Sequence, residues 1–287
     1  MVAFTLFVMR FGRIIRRIHL FRFIFDKWRG TAISVHKTLL VNFLLFRIKD
    51  ALKLPIWVYQ GTRIEHIGKV QINAPLHSGM IRFGRRKFFR SGKTVIINNG
   101  VITFQGNCTI MGGTTVHVLG TNCQMRFGRD VMIGENVKIL VGPDISIGDF
   151  TRIAFGCVLM SADFHYVLNT SNGKVHRSMA PIVIGKYNWI GNNCSIKKGV
   201  VTSDYCIVSN NSLLLKDYST DLPYPFIAGV PGKIKGYGLR RIYNDKSSKE
   251  LDSFFENDGG DSMTIPLKED DPDFNWYCNG KINVHLH

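Results

Sequence analysis

The sequence is short of acidic residues in its first third. Residues 1–100 contain 19 lysines and arginines but only three acids, Asp26, Asp50 and Glu65, which gives this stretch a net charge of +16. The whole chain also has a net charge of +16, so residues 101–287 together have no net charge. Such a block favours an anionic partner: a membrane surface, a nucleic acid or a phosphorylated substrate.

The sequence lacks any paired-cysteine motif. Its six cysteines have no CxxC spacing, which argues against a zinc site or a disulfide framework. They are predicted to be small packing residues in a reducing compartment. Long uncharged apolar runs are also missing, and the apolar residues 1–9 are followed by arginines without a small-residue cleavage site. We therefore expect neither a spanning helix nor a secretory signal.

What the sequence does have is a six-residue repeat over Ile184–Pro231. Its lead positions are Ile184, Ile190, Ile196, Thr202, Val208 and Leu214, and the fourth residues after the first five leads are Asn188, Cys194, Val200, Cys206 and Ser212. This period fits neither a helix nor a single amphipathic strand, so the repeat must arise from tertiary structure. A chain wound into a triangular coil explains it, because one hexad then forms each side. Each lead points inward, the fourth residue after it occupies a corner, and glycines such as Gly185 and Gly191 are expected to relieve the turns.

The same register extends upstream. Leads are present at Phe127, Ile133 and Ile139, then two extra residues intervene, and leads return at Ile147, Ile153 and Leu159. We predict a parallel β-helix, an all-β solenoid, over residues from about 64 to 235. The next lead position is His165, where the repeat stops for a polar excursion over 166–180. An excursion from a solenoid is a common place for function.

His165 is the first candidate for chemistry. Asp163 precedes it by two residues, and Trp189 opens the next regular coil. Histidine is the usual general base near neutral pH, and a neighbouring carboxylate can orient its ring. The alternative is that His165 only caps backbone groups at the base of a loop.

Several motifs bear on this choice: SADFH before the excursion, PIVIGKYNWIGNN, the Gly199 turn in IKKGV, SLLLKD, and AGVPGKI. With these motifs, residues 127–236 resemble the hexapeptide-repeat acyltransferases. The nearest branch is similar to the galactoside and maltose acetyltransferases and to the O-acetyltransferases of capsule and lipopolysaccharide synthesis. The resemblance implies a left-handed parallel β-helix, acetyl-CoA as the donor, no metal, and a homotrimer with the donor groove between subunits.

By this resemblance His165 matches the catalytic base, and Trp189 matches an aromatic residue beside the reaction centre. The acetyl-CoA contacts of the family fall on Asn192, Asn210, Leu215, Lys216 and Lys233. The sequence departs from the family pattern where Thr202-Ser203 replaces Ile-Gly, Ser209-Asn210-Asn211 replaces Gly-Ala-Gly, and Gly232 replaces Ala. The implied function is O-acetylation of a carbohydrate acceptor, a cell-surface polysaccharide or its precursor. N-acetylation of an amino-sugar nucleotide is the alternative.

The chain is expected to have three parts. Residues 1–60 form a basic helical segment, 61–237 the acyltransferase domain, and 238–287 a polar and acidic extension that is either loose or folded back as a strand. Residues 1–29 have the pattern of an interfacial helix, and residues 31–52 that of a second helix ended by Pro55. Residues 1–53 therefore either bind the cytoplasmic face of an anionic membrane, or pack on the first coil or a sister subunit.

Two other functions compete with acetyl transfer. A γ-class carbonic anhydrase shares the β-helix, but it needs three histidines that converge on a metal, and His117, His165 and His176 do not have that spacing. A non-catalytic basic scaffold would explain the charge but not the His165 excursion. We expect no nucleic-acid partner, because no binding motif accompanies the basic block.

Overall fold

The computed structural model describes residues 32–86, 92–243, 245–257 and 260–264. By its internal contacts the chain divides into residues 1–237 and 238–287. The predicted interfacial helix over 1–29 lies outside the described residues.

The first described elements are two helices, α1 (Val35–Leu45) and α2 (Ile48–Ala51). The single helix predicted over 31–52 is interrupted because Phe46 is extended, with φ −123° and ψ 156°. The side chains of Leu45 and Phe46 pack against the core, which accounts for the break.

Seven coils of three short strands follow. The first four coils comprise β1 (Ile56–Val58), β2 (Thr62–His66) and β3 (Lys69–Ile72); β4 (Ile81–Arg85), β5 (Thr94–Asn98) and β6 (Val101–Phe104); β7 (Cys108–Met111), β8 (Thr115–Val118) and β9 (Gln124–Phe127); and β10 (Val131–Ile133), β11 (Lys138–Val141) and β12 (Asp144–Ile147).

The fifth coil is β13 (Arg152–Ile153), β14 (Val158–Met160) and β17 (Ile182–Ile184), with the hairpin β15 (Leu168–Asn169) and β16 (Lys174–Val175) between the last two. The sixth and seventh are β18 (Trp189–Ile190), β19 (Ser195–Lys197) and β20 (Val201–Thr202), then β21 (Ile207–Val208), β22 (Leu213–Leu214) and β23 (Asp217–Tyr218). After them come β24 (Phe226–Ala228) and the antiparallel β25 (Lys233–Gly236).

Strands in the same position of successive coils pair in parallel and build three sheets. The first sheet runs from β1 to β24 and ends with β25, the second from β2 to β22, and the third from β3 to β23. The predicted parallel β-helix is confirmed, and its first coil begins at Ile56, upstream of the predicted start at about residue 64.

The interior is formed by the residues that the hexad predicts. All six leads from Ile184 to Leu214 are at most 3% exposed, and so are the five corner residues from Asn188 to Ser212. The small corner side chains fit because the chain folds back sharply there. The repeat in the sequence is therefore the repeat of the core.

The role predicted for glycine in the turns is only partly correct. The left-handed residue is the third after a lead, for example Tyr187 (φ 54°), Asn193 (φ 57°) and Gly199 (φ 79°). Gly185 and Gly191 directly follow their leads and do not have positive φ. They are glycines because a Cβ at Gly185 would lie 2.5 Å from the carbonyl oxygen of Ser203 in the next coil.

The part of the C-terminal extension that the structure describes contains a helix, α3 (Asp245–Glu256). It is neither the loose segment nor the strand expected from the sequence. Its apolar residues Leu251, Phe254 and Phe255 fall at helical spacing. The acidic and aromatic residues after 264 lie outside the described residues.

Candidate active site

The excursion leaves the fifth coil at the corner between the second and third sheets, and we call residues 161–181 the arm. Its base is a short antiparallel ladder. The amide of Asp163 donates to the carbonyl of Ser178 at 2.7 Å, and the amide of Ala180 donates to that of Ser161 at 3.1 Å. Ala162 and Met179 form an isolated antiparallel bridge. The arm therefore has a fixed base, followed by the β15–β16 hairpin.

His165 lies two residues beyond this base and is exposed. Its side chain makes no hydrogen bond or ion pair with the rest of the described chain. Both ring nitrogens are therefore available for a substrate. An exposed histidine beside a hydrogen-bonded ladder is accessible to a substrate, as a general base must be.

Asp163 does not orient the His165 ring in this chain. Its carboxylate accepts a hydrogen bond from Lys198 and lies 3.5 Å from the Nζ of Lys197. The two lysines are close because β19 pairs with β14, and Lys197 lies beside Met160 in the next coil. Asp163 therefore fastens the start of the arm to the sixth coil, and the expected carboxylate–imidazole pair is absent from the described residues.

Lys197 and Lys198 were missed as site residues. The segment IKKGV drew attention through Gly199 alone, although Lys198 directly precedes that turn. Lys197 lies beside Met160 although it follows it by 37 positions, because strands in the same position of successive coils pair with each other. Only the pairing of the coils shows this neighbour, which the sequence separation hides. The hydrogen bond and ion pairs with the two lysines lower the pKa of the Asp163 carboxyl below its usual value.

This pairing leads to a prediction for Asp163→Asn. Because the pKa of the folded state is depressed, the pairing stabilises the arm at pH 5–8 and is lost only as the pH falls below about 4. At pH 7 the variant should be cleaved by trypsin at Lys174 and Arg177 of the arm several-fold faster than the wild type. Acetyl transfer should fall less than it does in His165→Ala.

The matched control is Asp221→Asn, because Asp221 is exposed and belongs to no described ion pair. Equal cleavage rates in Asp163→Asn and the wild type would show that the lysine contacts do not hold the arm.

Trp189 lies on a different side of the coil from the arm. It is 42% exposed in β18 of the first sheet, between Arg152 of β13 and Ile207 of β21. The arm leaves from the corner between the other two sheets. A single chain thus does not bring Trp189 beside His165.

The predicted acetyl-CoA residues fall into three places. Leu215 and Lys216 lie at the same corner as the arm, two coils further on, and both are exposed. Asn192 and Asn210 stack at the corner between the first and second sheets, where the Asn192 amide donates to the Asn210 Oδ1 at 2.9 Å. Lys233 is exposed in β25, at the end of the first sheet.

The second sheet connects two of these places. Its outer face in the sixth and seventh coils is bordered on one side by Asn192 and Asn210, and on the other by Lys198, Leu215 and Lys216. The border therefore includes amide groups, an apolar side chain and two cations. The Lys216 ammonium lies 5.7 Å from the centre of the Tyr218 ring, which holds this cation near the corner.

The arm carries an exposed apolar surface. Its large apolar side chains, each between 46% and 76% exposed, are Phe164, Tyr166, Val167, Leu168, Val175 and Met179. Contiguous exposed apolar side chains on a projecting element typically mark a contact with another molecule.

The described part of the chain contains no group of three or more histidine, cysteine, aspartate or glutamate side chains arranged to hold a metal ion. His117 is on the second sheet, in β8 of the third coil, whereas His165 and His176 are on the arm of the fifth.

The fold and this corner define a three-sided parallel β-helix with an arm that has a hydrogen-bonded base and an exposed histidine. No protein-family model matches the sequence, and no curated protein matches it. Solved structures similar to this chain include the polysialic-acid-specific acetyltransferase NeuO, with a TM-score of 0.44, 19% identity, and coverage of 72% of this chain and 89% of that one.

Two further similar structures are acyltransferases. One is a point mutant of the N-acyltransferase AntD from Bacillus cereus, in complex with dTDP and coenzyme A, with a TM-score of 0.43, 18% identity, and coverage of 67% of this chain and 92% of that one. The other is the polysialic acid O-acetyltransferase OatWY, with a TM-score of 0.36, 20% identity, and coverage of 76% and 96%. With TM-scores below 0.5, these likenesses do not decide the function of this chain.

Proposed function

We propose that this protein is an acetyl-CoA-dependent O-acetyltransferase that modifies a sugar hydroxyl of a cell-surface polysaccharide or its precursor. The observation that carries the proposal is the place of His165. The arm has a hydrogen-bonded base, and its histidine is exposed two residues beyond that base. This placement agrees with the role that the sequence resemblance implies.

His165 would act as the general base. It takes the proton from the acceptor hydroxyl, so that the oxygen attacks the thioester carbonyl of the donor, and backbone N–H groups stabilise the tetrahedral intermediate. When the C–S bond breaks, the thiolate leaves and takes up a proton. The acetyl group passes directly to the acceptor, without an acyl-enzyme.

The described residues fit the donor. Lys216 and Lys233 are exposed cations suited to the phosphates of coenzyme A, and exposed Leu215 suits its apolar arm. Asn192 and Asn210 offer amide groups at the other border of the second sheet, at its corner with the first sheet. Asp163 would then act as a positioning residue, because it fixes the start of the arm through Lys198.

The site would be completed between subunits of a homotrimer. His165 and Trp189 lie on different sides of one chain, and a neighbouring copy is needed to bring the first sheet up to the arm. The apolar side chains of the arm, which include Phe164 and Val167, supply a contact surface for that copy. Sedimentation equilibrium at the assay concentration should give the mass of a trimer, and a monomer would count against this arrangement.

The proposed location is the cytoplasm, with peripheral attachment through residues 1–53 to the inner face of the cytoplasmic membrane, where lipid-linked glycans are assembled. Among the described helices, none is long and apolar enough to cross a membrane. The net positive charge of residues 1–53 supports attachment to anionic lipid.

The test is acetyl transfer to a panel of acceptors. Purified protein is incubated with acetyl-CoA and either a hydroxyl-bearing polysaccharide, a lipid-linked oligosaccharide or an amino-sugar nucleotide, and both thiol release and the acetylated product are measured. Ester formation on a hydroxyl is expected. Amide formation would favour the alternative, an amino-sugar N-acetyltransferase, and no transfer to any acceptor would favour a non-catalytic scaffold.

A further inference from the structure

Helix α1 points two polar residues inward. Thr38 and Asn42 are fully buried beside Val41, whereas His36 and most of the large apolar residues of the helix are exposed. This is the reverse of an ordinary surface helix, which buries its apolar stripe. Both the buried polar side and the exposed apolar side of α1 therefore need a physical reason.

The inner face covers the open edge of the first sheet at β1. The side chain of Asn42 donates to the carbonyl of Ile56 at 2.7 Å and accepts from the amide of Ile56 at 3.0 Å, while the amide of Val58 donates to the Thr38 hydroxyl at 3.0 Å. Four helix residues advance about 6 Å and two strand residues advance about 6.7 Å, so residues four apart on α1 match residues two apart on β1. These hydrogen bonds pair backbone groups at the free edge of β1, which could otherwise pair with another strand.

The outer face is apolar over both short helices. We call it the outer face of α1–α2, and its members, between 41% and 71% exposed, are Val35, Leu39, Leu40, Phe43, Leu44, Ile48 and Leu52. Its rim carries the exposed cations Arg47, Lys49 and Lys53, and Lys53 forms an ion pair with Asp50 at 2.9 Å. An apolar face with a cationic rim is typical of an element that lies in a membrane interface.

We propose that the outer face of α1–α2 docks on an anionic lipid surface. This inference deepens the proposed membrane attachment and rests on it, but it assigns the contact to described residues. The possible occupants of this face differ in charge. Residues 1–31 carry seven basic side chains against Asp26, so packing them on this face would bring like charges together. A second copy of the helices would do the same with Arg47 and Lys49. An anionic bilayer complements both the rim and the preceding segment.

The docking would also set the orientation of the solenoid. Because α1 lies on the free edge of the first coil, its outer face points away from the coils, and the first coil would be nearest the lipid. The arm is in the fifth coil, and at about 4.8 Å per coil it would stand roughly 20 Å above the first coil. An acceptor that extends from a lipid anchor could reach His165 at that height.

The experiment is flotation of the full-length protein with vesicles, one set of phosphatidylcholine and phosphatidylglycerol and one of phosphatidylcholine alone. The test variant is Leu40→Glu with Leu44→Glu, because both side chains are more than half exposed and the inner face is unchanged. The control variant is Val183→Glu with Leu222→Glu, which places the same charge on exposed apolar residues of the solenoid. Should the test variant fail to fold, Leu44→Gln replaces it.

Wild type and control should float with anionic vesicles, more weakly at high salt. The partition coefficient of the test variant should be at least roughly tenfold lower, with acetyl transfer to a soluble acceptor unchanged. If the test variant floats like the wild type, the outer face is not the docking surface, although attachment through residues 1–31 would stand. If the wild type does not float, both membrane proposals fail. If the test variant instead falls in oligomeric mass without vesicles, the occupant is a second copy and the inference is wrong.

Discussion

His165→Ala should lower the rate of acetyl transfer by roughly 10²- to 10⁴-fold, the usual contribution of a positioned general base. The affinity for acetyl-CoA should stay close to that of the wild type, because His165 is on the arm and none of the proposed donor residues belongs to the arm. Turnover is measured by thiol release with saturating acceptor, and donor affinity by calorimetry on the same preparation.

His176→Ala is the matched control, because His176 is also exposed on the arm, just beyond β16. It should retain most of its activity. If His165→Ala turned over like the wild type with the right acceptor, another group would be the base. If both variants lost activity together, the arm as a whole would matter and the His165 ring would not.

Asn42→Ala should open the N-terminal end of the solenoid. The substitution removes both side-chain partners of the Ile56 backbone and leaves a buried N–H and C=O unpaired, at a cost of about 2–4 kcal/mol. Amide hydrogen exchange in the peptide that contains β1 should become roughly 30- to 1000-fold faster, because the local opening free energy falls by that amount.

Leu40→Ala provides the control on the same helix, since Leu40 is 58% exposed on the outer face. Its exchange should differ little from that of the wild type. Thr38→Val should be intermediate, because it removes a single hydroxyl that accepts from Val58. Unchanged exchange in Asn42→Ala would mean that α1 does not protect the edge.

These helices show what sequence reasoning can and cannot recover. The six-residue register predicted the core residue by residue, because each lead such as Ile190 or Val208 must fill the same narrow interior. A helix over 31–52 was predicted, but the buried face of α1 was not, since burying Thr38 and Asn42 with leucines outside reverses the usual pattern of a surface helix. The reason for this orientation is the edge of β1, whose backbone groups bond to Thr38 and Asn42.

The candidate site was also predicted only in part. The break in the repeat located the arm and His165, because an excursion interrupts the core at a definite position. The partner of Asp163 was predicted wrongly for this chain, since proximity in sequence suggested His165 and the stacking of coils supplied Lys198 instead. The left-handed corner residues such as Tyr187 were also missed, because a large aromatic residue is rarely expected at positive φ.

The central claim is that this solenoid is an acetyl-CoA enzyme, and equilibrium binding of acetyl-CoA to the full-length protein tests it most directly. The account predicts saturable binding with one site per subunit, displaced by free coenzyme A and weakened by the double substitution Lys216→Ala with Lys233→Ala. Absence of saturable binding at millimolar acetyl-CoA, in protein whose β-helix is intact by circular dichroism, would contradict it.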